Sequence, residues 1–124
     1  MGKGDVKIRW LKESEEHDYP AALSYLSLLY PEKIAEEHVA KLKRARIVQF
    51  KAKDIFRASR LPLLGFTNYH VKKDKKKIEA RERLSPLLLV RKPEGSTVII
   101  ADGYHRLCAV YGFDEDAVIP CKIA

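Results

Sequence analysis

The sequence has no apolar run approaching the roughly 20 residues that a membrane-spanning helix needs. Its start, Met1-Gly2-Lys3-Gly4-Asp5, lacks the apolar core of a secretory signal, so a cytoplasmic chain is expected. Cysteine is scarce: Cys108 and Cys121 form no C-x-x-C pair, and neither has a second metal-type ligand at finger spacing. Structural zinc is therefore not expected, and two reduced core thiols are. Neither G-x-x-x-x-G-K nor G-x-G-x-x-G occurs, which removes the P-loop and the dinucleotide-binding glycine turn. No internal repeat, low-complexity tract or linker interrupts the 124 residues, so one domain is expected.

Positive charge, by contrast, is in excess. The formal charge is +7, and it is clustered. Residues Lys41 to Arg60 hold eight Lys/Arg against Asp54 alone, and Lys72 to Arg83 hold seven against Asp74, Glu79 and Glu82. Such clusters attract anions of any kind, from nucleotides to nucleic acid, and say nothing about fold. A pair of solvated helix faces explains the same pattern.

Periodicity gives the elements. Val6 to Leu11 alternates and predicts a strand. Asp18-Tyr19-Pro20 predicts a helix start with Asp18 as cap, continued by Leu23, Leu26 and Tyr30. Pro31 then separates it from a second helix with Ala35, His38, Val39 and Leu42 on one face. Trp10 and Tyr25 are expected in the core. Ile47 to Phe50 predicts a strand, Lys53 to Ser59 a short helix, Leu61 to His70 a long loop, and Lys72 to Leu84 a helix. Leu87-Leu88-Leu89-Val90 and Thr97-Val98-Ile99-Ile100-Ala101 predict a hairpin of buried strands. A helix over Gly103 to Tyr111 follows, ended by Gly112, and then a strand over Val118 to Ile123. Pro120 predicts that this last strand is an edge or is kinked. The fold class expected is α+β, a single compact domain with a small mixed sheet flanked by helices.

The chemistry is expected at Asp102-Gly103-Tyr104-His105-Arg106, where a strand gives way to a helix within about two residues. The first four amides of a helix have no internal acceptor, and the macrodipole adds roughly half a positive charge there. Gly103 permits close backbone approach, and His105 and Arg106 add donors. Together they predict a phosphate or other anion site. Asp102 is equally well explained as a helix cap. That alternative leaves His105 and Arg106 without a reason, since cations oppose the dipole at a helix start.

These residues, with the Pro86-led strand, the hairpin and the closing Ile119-Pro120-Cys121, resemble the ParB/sulfiredoxin superfamily, and in particular its small bacterial members. The resemblance covers residues 46–124; residues 1–45 lie outside it. It implies a nucleotide such as ATP or CTP, or another phosphorylated small molecule, as ligand of Gly103, Tyr104, His105 and Arg106. Sulfiredoxin-like members carry a catalytic cysteine where this chain has Tyr104, so sulfinic-acid reduction is not expected. Partition-type members continue into a DNA-binding helix-turn-helix, for which no room follows. Serine-kinase-like members use the acid at the position of Asp102, which implies phosphoryl transfer or hydrolysis with Asp102 and His105 in catalysis. Asp102 would then hold Mg²⁺, because a bare carboxylate beside a phosphate repels it. Lys53 and Arg57 on the short helix, and Asn68 and His70 in the loop, are further ligand candidates that surface roles explain as well. The rival expectation is a non-enzymatic nucleic-acid-binding module that uses the central basic region.

Overall fold

The computed structural model describes residues 7–92 and 94–124. In chain order these form β1 (Arg9–Trp10), α1 (Asp18–Leu29), α2 (Glu32–Arg44), β2 (Val48–Lys51), α3 (Ala52–Ser59) and α4 (Tyr69–Glu79). There follow β3 (Arg83–Leu84), β4 (Leu87–Lys92), β5 (Thr97–Asp102), α5 (Tyr104–Phe113) and β6 (Val118–Ile123). The fold is α+β.

Four strands make a mixed sheet in the order β2-β6-β4-β5, and β1 and β3 form a separate parallel pair. The β6–β4 pairing is parallel, and the β2–β6 and β4–β5 pairings are antiparallel. Strand β4 is buried on both sides, which is why it reads as a continuous apolar run instead of an alternating one. Its Leu88 and Val90 face α1 and α2, where Tyr19, Ala22, Leu26, Ala35, Val39 and Leu42 are buried. Its Leu87 and Leu89 face the other layer, with Ile55, Val71, Ile78, Leu107 and Ile119. The segment before residue 46 thus supplies one whole cover of the sheet. Lys122 of β6 ties that cover down from below, donating to the Tyr19 hydroxyl at 3.0 Å and the Lys43 carbonyl at 3.3 Å and pairing with Glu13 at 2.8 Å.

Several boundaries differ from the sequence expectation, each for a physical reason. Of the predicted first strand, Arg9–Trp10 is strand, and Val6 lies outside the described residues. Asp18 opens α1 but caps nothing: His17 holds the cap position without a side-chain bond, and Asp18 is buried. Tyr25 is 42 % exposed and not core. The predicted loop ends early because Asn68 caps α4, its Oδ1 accepting from the amides of His70 at 2.9 Å and Val71 at 3.2 Å. The helix expected over Lys72 to Leu84 therefore starts at Tyr69 and stops at Glu79, and Arg83–Leu84 pairs with β1. Gly112 sits inside α5, where Phe66 packs on it and leaves no room for a Cβ. Strand β6 is interior, not an edge. Its parallel ladder with β4 begins at Leu87 and Cys121, so Pro120 lies just ahead of the pairing that would need its amide.

Candidate functional site

Strand β5 and helix α5 meet at Gly103, whose backbone is left-handed at φ 108°. A Cβ there would stand 2.8 Å from Leu87 Cγ and 2.9 Å from an Arg106 terminal nitrogen. Glycine is thus required by the turn and by its own neighbours, a reason different from the ligand approach that the sequence suggested.

One step earlier the sheet is irregular. Leu89 pairs with Ile100, but Leu88 pairs with Asp102, so Ala101 is an extra residue in β5. The bulge turns Asp102 onto the Leu88 side of the sheet, the side covered by α1. There its Oδ2 accepts from Arg106 Nη2 at 3.0 Å. The same nitrogen lies 3.7 Å from Asp18 Oδ2 and donates to the Pro86 carbonyl at 3.4 Å. Asp18 in turn accepts from the Ser85 hydroxyl, and its other oxygen faces His17 Nε2 at 3.3 Å. Burial pushes the Asp102 carboxyl above its usual range; Arg106 opposes that push and Asp18 adds to it.

Arg106 therefore turns back from the helix start to hold two acids, and the sequence did not anticipate Asp18 as its neighbour or Ser85 as the donor to Asp18. Asp102, engaged with Arg106, does not cap α5, and among the described residues no other side chain does. Asp102, Gly103, Tyr104 and His105 line a cleft of about 400 Å³, together with Ala21 and Tyr25 of α1, Leu61, and Ile100 and Ala101 of β5. The start of a ten-residue helix with uncapped amides thus opens into a cleft.

His105 stands at the mouth with its ring 4.8 Å from that of His70 and 5.4 Å from that of Tyr104. Burial and the neighbouring His70 hold the His105 imidazole below its ordinary pKa, against the pull of Asp74. Burial likewise raises the Asp74 carboxyl, against Lys77, Arg106 and His105. Asp74 belongs to this cluster and was missed. The signal available was its place one helical turn after His70. Tyr104 donates its hydroxyl to the Pro62 carbonyl, pinning the 61–68 loop against α5.

The remaining candidates are placed elsewhere or otherwise occupied. Lys53 pairs with Asp116 at 2.6 Å and Arg57 with Asp54 at 3.3 Å, and neither lines the α5 cleft. Asn68 is used as the α4 cap. His70 is brought to the site by its tilted ring contact with His105. For Mg²⁺ the fit is poor, because Asp102 and Asp18 already share one guanidinium and a metal there would set two cations against each other. Among the described residues, no group of three or more His, Cys, Asp or Glu is arranged to hold a metal ion. No described helix is long and apolar enough to cross a membrane. No family model, curated protein or solved structure matches the chain.

Proposed function

We propose that the cleft at the start of α5 binds a small phosphorylated molecule, with a nucleotide such as ATP or CTP as the class that the ParB/sulfiredoxin resemblance suggests. The observation that carries this reading is the uncapped first turn of α5, with Gly103, Tyr104 and His105 lining the cleft. The amides supply donors and the dipole supplies partial positive charge. The cleft is of the size that small ligands occupy. Tyr25 and Leu61 offer apolar surface to the non-phosphate part of the ligand.

Within this reading, Arg106 is a positioning residue. It neutralises Asp102, the carboxylate in the cleft lining that would otherwise repel the phosphate. His105 is the side chain that meets the ligand, and Tyr104 fixes the loop over it. The arrangement is that of a binding site; no step is assigned to Mg²⁺, since the acids meant for it are taken by Arg106. Two buried, free thiols fit the reducing cytoplasm.

A thermal-shift series with ATP, CTP and sulfate, with and without Mg²⁺, tests the proposal. At least one nucleotide, and sulfate more weakly, raises the melting temperature without added metal. Flat melting curves for all three at millimolar concentrations would remove the site.

A further inference from the structure

Helix α4 is sided. Val71 and Ile78 are buried in the core, and His70 and Asp74 turn toward α5. The side opposite Val71 and Ile78 carries Tyr69, Lys72, Lys73 and Lys76, at the i, i+3, i+4, i+7 spacing of one helix face. These four line a shallow cleft of about 270 Å³. Tyr69 is 72 % exposed, the ring of a large aromatic left in solvent beside three amines.

The acids of the helix neutralise this face only in part: Glu79 is paired with Lys75 at 2.9 Å, and Asp74, on the α5 side, interacts with Lys77 and more weakly with Lys73. Among the described residues, Lys72, Lys73 and Lys76 form no salt bridge. Like charges three and four positions apart destabilise a helix, so the face holds repulsion that a polyanion would relieve. From Tyr69 a chain of rings leads inward, to His70 at 5.2 Å and on to His105 at 4.8 Å.

We propose that this face of α4 binds single-stranded nucleic acid, with the three lysines on successive phosphates and Tyr69 stacked on a base. A solvated lysine face would explain the charge but not the exposed tyrosine within it. A lone protruding ring needs an unpaired base, which selects single strands over duplex. From Tyr69 to Lys76 the face is about 10 Å long, the length of a few nucleotides. The inference goes beyond the α5 cleft and does not depend on it.

The test is fluorescence anisotropy with short labelled oligothymidylate, oligouridylate and a duplex of equal length, from low to physiological salt. Single strands bind, with log affinity falling against log salt at a slope of about −2, three lysines at roughly 0.7 each. Tyr69→Ala weakens binding roughly 5- to 150-fold with the slope unchanged. Lys72→Gln, Lys73→Gln and Lys76→Gln together abolish binding and flatten the slope, with the melting temperature retained because all three are exposed. The triple variant still responds to CTP and sulfate, so the α5 site and the α4 face succeed or fail separately. Absence of binding at low salt, wild-type binding by the triple variant, preference for duplex, or indifference to Tyr69→Ala would each overturn the proposal.

Discussion

Arg106 stands between two acids, and its removal shows what each residue of the group does. Asp18 is 2 % exposed, and Asp102 is half-buried beside the guanidinium. Without Arg106, Asp102 loses its cation and Asp18 keeps only Ser85 and His17 in a desolvated pocket, so Arg106→Ala lowers stability by about 3 kcal/mol, the usual effect of breaking a buried pair. Urea unfolding measures it; a variant as stable as wild type would show that the pair is solvated. His105 gives a pH signature. Its folded-state pKa is depressed, so the folded protein binds this proton less tightly than the unfolded chain. Stability from this group is complete above the unfolded value of about 6.5 and is lost as pH falls below it. A bound anion reverses the preference and favours the charged ring. Sulfate, which keeps its charge over this range, therefore binds more tightly at pH 5.5 than at pH 7.5, and His105→Gln removes most of that difference. Isothermal titration at the two pH values decides the point.

At the scale of elements, the β5–α5 junction depends on one bulge and one glycine. Gly103→Ala meets both a left-handed backbone and Leu87, and costs roughly 3 kcal/mol from strain and overpacking together. Thermal unfolding checks this; a loss under 1 kcal/mol would mean that the junction relaxes freely. The hairpin, α5 and β6 were legible in the sequence because their apolar runs and turn residues are local signals. The group around Arg106 was not. Ser85 and Asp18 are 67 residues apart, and no spacing rule joins them. The direction of Arg106 was misread for the same reason. An arginine in a first turn looks costly beside the dipole until the bulge that delivers Asp102 to it is known. Gly112 resembled a helix stop and is a seat for Phe66, and Asn68 resembled a loop ligand and is a cap. Phe66 lies far outside any local window around Gly112, whereas the Asn68 cap bonds amides only two and three residues on, a local signal masked by the irregular stretch before it.

For the molecule as a whole, the two helical covers bury most of the central strands β4 and β6, and the thiols report on that burial. Burial pushes the Cys121 thiol up to about 12 and raises Cys108 as well. Both are buried and free, so their reaction with a thiol reagent at pH 8 proceeds only through opening of the structure. Its rate follows global stability across the variants above, and rapid labelling of either cysteine in the native protein would contradict the packing described. The excess charge works on the same scale: it raises the local concentration of anions around the proposed site, whose donors would be mostly backbone.

The α5 claim is located most directly by amide chemical shifts during titration with sulfate and then CTP. The account predicts saturable shifts concentrated at Gly103, Tyr104, His105 and Arg106, with Tyr25 and Leu61 joining for the nucleotide alone. Saturable binding whose shifts fall on α3 or the α4 lysines, with the α5 amides unmoved, would contradict it.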